Sequence, residues 1–179
     1  MLNTEEAVLV LVDIQARLMR VMYRVDLIVP NTERIIKGCQ ALTVPVLPVV
    51  QVPEKLGPMP SELLEAIGEA EPVTKVVFSA LREPDFLLAL DRTGHRQVIL
   101  AGMEAHVCIF QTALDLLDAG YQVHILADAV FSRSAENHRL ALDRMRAIGA
   151  TISSVEMALF EMLQTTRHPA FRTISKLVK

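Results

Sequence analysis

The sequence predicts a three-layer αβα sandwich around a six-stranded parallel sheet, and three observations carry that reading. Short, uninterrupted aliphatic and β-branched runs recur along the chain, the pattern of strands buried on both faces. Each run is separated from the next by a segment with helical spacing, the alternation that builds a parallel sheet covered by helices. The composition agrees: 51% hydrophobic residues, 4% aromatic and no Trp leave Val, Ile, Leu, Ala and Met to fill the core.

The first run, Ala7–Val12, ends in Asp13. The second, residues 44–52, contains Pro48, which lacks a ladder N–H and belongs at an edge or a bulge. Residues 73–78, 97–101, 122–127 and 150–155 supply the other four strands. Among the helices, residues 26–42 place Leu27, Ile28, Ile35 and Ile36 near one stripe. Residues 108–119 carry Ile109, Ala113, Leu116 and Leu117 before Gly120 stops the helix, and residues 136–148 repeat the pattern before Gly149. Residues 155–163 read as a final apolar helix whose outer side could serve a subunit contact. Residues 51–60, with Pro53, Gly57, Pro58 and Pro60, are the longest loop, either a lid or a rigid surface turn.

A chain of 179 residues without a low-complexity linker reads as one domain over residues 1–179. A mean hydropathy of +0.34 supplies more apolar surface than one such core requires, which points to a homo-oligomer, a dimer or larger. A net charge of −3 gives no long-range attraction to nucleic acid or anionic membrane, so the expected partner is a small-molecule substrate. Residues 1–6 lack the basic segment of a signal peptide and Ala7–Val12 is too short to span a bilayer; a cytoplasmic location is the expectation. The two cysteines form no disulfide framework, and no Cys/His pairing has zinc-ligand spacing.

In an open parallel sheet, ligands bind where strands end and helices begin. Asp13 stands at the end of the first strand, Lys75 lies in the third, and Cys108 follows the fourth. Each has an ordinary reading beside a chemical one. Asp13 either caps the next segment or acts as a general base after partial desolvation. Lys75 either snorkels from an edge strand or turns its ammonium toward the sheet's carboxyl edge. Cys108 is either a small core residue or a thiol at a helix start, where free N–H groups stabilise thiolate. Together they supply what thiol acyl transfer needs: a proton acceptor, a cation and backbone donors.

Val12-Asp13-Ile14-Gln15, the segment from Thr74 to Ser79, Ala101-Gly102-Met103-Glu104-Ala105-His106-Val107-Cys108, and Ala127-Asp128-Ala129-Val130-Phe131-Ser132-Arg133 stand in this order along the chain. In that order and spacing they resemble the signatures of the isochorismatase-like cysteine hydrolases, over about residues 7–156. The resemblance implies that family's Rossmann-like fold and a triad of Asp13 as proton acceptor, Lys75 as charge stabiliser and Cys108 as nucleophile. It implies a cis peptide between Met103 and Glu104, and an oxyanion hole from the N–H groups of Glu104 and Cys108. Gln15, Phe78 and Gln111 are candidates for shaping the pocket, each with a packing role as the alternative.

The chain also departs from some of these relatives. Nicotinamide hydrolases of the family hold a metal through an Asp-x-His element and a further His after the second strand, but here no histidine precedes His95. Neither a metal nor any other cofactor is therefore expected. Enzymes specialised for isochorismate resemble this chain except at the cysteine, so retention of Cys108 points to acyl-enzyme chemistry on an amide-like C–N bond. His106 reads as a loop residue and Cys39 as a packed structural thiol. A catalytically inactive member of the fold, serving as a binding or scaffold protein, is the alternative. A dinucleotide enzyme is disfavoured, because Asp13-Ile14-Gln15-Ala16-Arg17 stands where a GxGxxG turn would follow the first strand.

Overall fold

A computed structural model describes residues Met1–Lys179. Six strands, β1 (Ala7–Val12), β2 (Val46–Gln51), β3 (Val73–Lys75), β4 (Gln97–Met103), β5 (Gln122–Phe131) and β6 (Thr151–Ser153), pair in parallel throughout, in the order β3-β2-β1-β4-β5-β6. The helices are α1 (Ala16–Met19), α2 (Ile28–Ala41), α3 (Pro53–Leu56), α4 (Ser61–Ile67), α5 (Pro84–Thr93), α6 (Phe110–Asp118), α7 (Ala135–Ala147), α8 (Val155–Leu163) and α9 (Phe171–Leu177). None is long and apolar enough to cross a membrane.

The sheet separates two apolar layers. Ala7, Leu9 and Leu11 of β1 face the layer that contains Ile35 and Ile36 of α2 and Leu159 of α8. Val8, Val10 and Val12 face the opposite layer, with Phe86 of α5, Ala113 and Leu116 of α6 and Met145 of α7. Period-two alternation with both faces covered is why β1 reads as an unbroken apolar run.

Pro48 lies in a paired strand after all. Pro45 O accepts from Leu9 N and Val49 O from Asp13 N, so odd-numbered residues of β2 direct their polar groups toward β1. Pro48 therefore turns its nitrogen the other way, where β3 begins to pair only at Val49. No ladder donor is lost there.

Several boundaries differ from those the sequence predicts. β3 ends at Lys75 rather than residue 78, because the chain bends back so that the carbonyls of Val77 and Phe78 accept from the Lys75 ammonium. β4 and β5 run on to Met103 and Phe131, past a register shift between Leu100 and Gly102. The helix carrying Cys108 begins earlier, as a π turn over Ala105–Ile109 that leads into α6. Nor is α8 the last helix; α9 packs against α2 and α8, with Ile174 fully buried.

The strand order reverses between β1 and β4, so connections diverge there and leave a crevice at their carboxyl ends. Gly102 brings the two ends together. Its φ is +131°, and a Cβ at this position would lie 2.0 Å from Val12 O. Gly102→Ala should therefore cost about 3 kcal/mol or more in thermal or denaturant unfolding. An unchanged midpoint would show that the β1 and β4 ends can part without loss.

Candidate active site

Three strand ends meet beside that crevice. Asp13, in the left-handed region at φ 57°, closes β1 and is completely buried. Its Oδ2 accepts from Lys75 Nζ at 2.8 Å, and the Lys75 side chain is fully buried too. Lys75 is thus on an edge strand yet does not snorkel. Its ammonium also donates to Gln51 Oε1 at 2.6 Å, Val77 O at 3.2 Å and Phe78 O at 3.1 Å. An ammonium has three hydrogens and here meets four acceptors, so none is left to donate to a thiolate or an oxyanion. Lys75 acts on this site through its charge and through its grip on Asp13.

Cys108 sits in the π turn at 6% exposure. Its thiol is near enough to the Asp13 carboxylate for each to affect the other's protonation, although Asp13 Oδ1 has no partner in strict hydrogen-bond geometry. Burial raises the Asp13 carboxyl above its ordinary value of 3.8, against the opposing pull of Lys75. Burial first, and then the Asp13 charge, push the Cys108 thiol up to about 12, with Lys75 and the backbone of Glu104 opposing. Both causes oppose ionisation of the thiol, against the stabilisation that free N–H groups at a helix start would give. A thiol held this way would need a proton acceptor beside it to react, and the Asp13 carboxylate is the acceptor next to it.

The peptide between Met103 and Glu104 is cis. Glu104, 8% exposed, holds Arg133 in a two-pronged ion pair at 2.5 and 3.0 Å. His106 Nδ1 lies 2.9 Å from Ser132 Oγ, and its Nε2 is 4.0 Å from Glu104 Oε1. These contacts fasten the turn between β4 and α6 to the end of β5. No group of three or more His, Cys, Asp or Glu gathers in the chain as a metal-holding cluster.

The pocket candidates separate. Gln15 is fully buried, and its Nε2 donates to Gln51 O and Gly57 O at 3.0 and 2.6 Å, so it ties the ends of β1 and β2 together. Phe78 contributes its carbonyl to Lys75 while its ring stays outside, 56% exposed. Gln111 is half-buried on α6. None of the three, and no member of the triad, lines a surface cavity of the isolated chain. Residues 51–60 are held down by Gln15 to Gly57 O, Ala16 N to Pro58 O and Arg17 to Lys55 O, which favours the fixed turn over the lid. Cys39 is fully buried, with its thiol pushed up to about 12 by burial, as a packed structural residue should be. Sequence reasoning missed Gln51, although its place at the end of β2 is the same carboxyl-edge signal that marked Asp13 and Lys75.

A family model described as "Isochorismatase domain" matches residues 7–157. The secreted isochorismatase effector Isc1 of Phytophthora sojae (strain P6497) is 36% identical over 97% of this chain and 84% of its own length. A solved Caenorhabditis elegans structure described as MAR1 ribonuclease superposes with TM-score 0.92 at 31% identity, covering 99% of this chain and 91% of that one. The YcaC gene product of Escherichia coli, described as an octameric hydrolase of unknown specificity, superposes with TM-score 0.89 at 23% identity, covering 98% and 94%. Sequence match and superposition thus agree over nearly the whole length, and the chain belongs to the isochorismatase domain family and has the fold of its hydrolases.

Proposed function

We propose that the protein is a metal-independent cysteine hydrolase that cleaves an amide-like C–N bond of a small molecule through a thioester on Cys108. The observation that carries the proposal is the fully buried Asp13–Lys75 pair at the carboxyl edge, with the neutral Cys108 thiol beside it. As Cys108 Sγ attacks the substrate carbonyl, Asp13 takes the thiol proton. The carbonyl oxygen gains the negative charge, and the N–H groups of Glu104 and Cys108 receive it. Collapse breaks the C–N bond, and the leaving nitrogen takes the proton from Asp13. Water then gives a proton to Asp13 and attacks the thioester; the departing sulfur recovers that proton. Lys75 keeps Asp13 in place and balances its charge during both proton transfers. The absence of any histidine before His95 supports a mechanism without the family's metal.

The direct test is interception of the intermediate. Small amides, ureas and carbamoyl compounds are mixed with the protein, quenched in acid, and the intact mass and the Cys108 peptide are measured. A substrate-dependent acyl mass on Cys108 with amine or ammonia release supports the reading; turnover without any acyl adduct overturns the thioester. RNA belongs in the same panel because the C. elegans protein is described as a ribonuclease, but a net charge of −3 gives this chain no general attraction to polyanions. Asp13 must be ionised to serve as base, and its carboxyl is raised. The sign follows: kcat/KM falls as pH is lowered through a value above 3.8. An acid limb at or below 3.8 would place the base elsewhere.

One observation favours a second reading, a catalytically inactive binding or scaffold member: Cys108 is buried, and no member of the triad lines a surface cavity of the isolated chain. Alkylation of Cys108 by iodoacetamide no faster than that of a free thiol, together with no turnover across the panel, would select it. We also assign a homo-oligomer, on the outward apolar side chains Met157 and Phe160 of α8 and Val76 and Phe78 after β3. Sedimentation resolves the subunit number.

A further inference from the structure

Between Asp13 at the end of β1 and Lys75 at the end of β3 lies the end of β2, and the residue there is Gln51. Its side chain spans the gap in both directions. Oε1 accepts from Lys75 Nζ at 2.6 Å, and Nε2 donates to Val76 O at 3.0 Å. Its backbone is fixed from the other flank, where Gln51 N donates to Gln15 Oε1 at 2.7 Å and Gln51 O accepts from Gln15 Nε2. Gln15 stands two positions after Asp13 in the chain. The hydrogen bonds therefore close a ring through three strand ends: Asp13 to Lys75, Lys75 to Gln51, Gln51 to Gln15, and back along the backbone to Asp13.

We propose that Gln51 is a positioning residue that sets the proton affinity of Asp13 by drawing one ammonium hydrogen of Lys75 away from the carboxylate. The groups that face Asp13 are few. Lys75 comes from β3, Cys108 from the π turn, and Glu104 from the β4 exit, the last already paired to Arg133. Lys75 is the single cation among them, so how its hydrogens are divided decides how strongly the carboxylate is held in its charged form. A neutral amide oxygen is the acceptor that suits this place. It competes for the ammonium without adding charge, and so leaves Asp13 basic enough to take a proton from a reluctant thiol. A carboxylate there would share Lys75 as a second anion. An apolar residue would surrender the ammonium to Asp13.

The proposal rests on the reading of Asp13 as base for its catalytic meaning, but its test does not require a substrate. In protein labelled with ¹³C at aspartate carboxyls, the Asp13 resonance, assigned by its loss in Asp13→Asn, is titrated in wild type, Gln51→Glu and Gln51→Met. Thermal midpoints are recorded for all three. Gln51→Glu is expected to raise the proton affinity of Asp13 about tenfold, and Gln51→Met to lower it. Shifts of opposite sign are something a merely structural role would not produce. If Gln51→Met does not fold, Gln51→Leu, which removes the same acceptor, takes its place beside Gln51→Glu. An Asp13 titration unmoved in Gln51→Glu, or moved downward, overturns the proposal. If Asp13 moves as expected while no compound is turned over, the positioning role stands and the hydrolase reading is what fails.

Discussion

Replacing Cys108 by Ala is expected to lower turnover by about 10³-fold or more while leaving the fold intact. In the proposed mechanism the Cys108 thiol is the nucleophile, and the Asp13 carboxylate beside it serves as base for a thiol that burial makes harder to ionise. Removing the sulfur removes the atom to which the acyl group attaches, and no second side chain there can replace it. Little stability should be lost, because Ala fills most of the small space and the Asp13–Lys75 pair does not depend on the thiol. Cys108→Ser is the sharper variant. A serine hydroxyl is far harder to deprotonate, so a base strong enough for a thiol shifted to about 12 leaves only residual activity, and no adduct with iodoacetamide forms at this position. Initial rates on whichever panel member is turned over, with unfolding curves for both variants, check this. An Ala variant with wild-type turnover would end the nucleophile assignment.

Asp13→Asn should carry the largest effect on stability, a loss of about 3 to 5 kcal/mol. The amide keeps the shape of the carboxylate but leaves the Lys75 ammonium fully buried with neutral acceptors only. Lys75→Met should cost a similar amount for the converse reason. The two losses are not independent, since each leaves the same pair half-made. The double variant Asp13→Asn/Lys75→Met should therefore recover more than half of the combined loss. Denaturant unfolding of the four proteins closes the cycle, and strictly additive losses would show that the pair does not act as a unit. Activity gives the complement: both single variants and the double should be inactive, because the stability recovered by the double restores no base.

The sheet was legible because a strand covered on both faces must be apolar at every position, and Ala7–Val12 has no other plausible fate. The three catalytic candidates were legible as polar or reactive side chains near the carboxyl edge: Asp13 where an apolar run stops, Lys75 within one, and Cys108 at the helix start after another. Other features were hidden by interactions far apart in sequence. Whether Lys75 reaches water or turns inward depends on Asp13, 62 positions away, and on the bend of the chain after β3. That the carbonyl of Phe78 accepts from Lys75 is likewise set by that bend and not by the residue's side chain. Pro48 looked like a fault because the sequence does not say on which side its nitrogen lies or where β3 begins to pair. Gln51 stands at a strand end as Asp13 does, but the sequence read the second strand as running on to residue 52, and the role of the amide comes from the cation it meets.

The sequence by itself determined the three-layer parallel architecture, the three residues worth watching and their order along the chain, since these follow from local periodicity and from where apolar runs stop. The tertiary structure decided how those residues stand toward one another. It buried Lys75 against Asp13, set the Cys108 thiol beside them and brought Gln51 within hydrogen-bond reach of the ammonium. The physical reason is that protonation and hydrogen-bond sharing depend on distance and burial, which are properties of the folded arrangement and not of any segment alone.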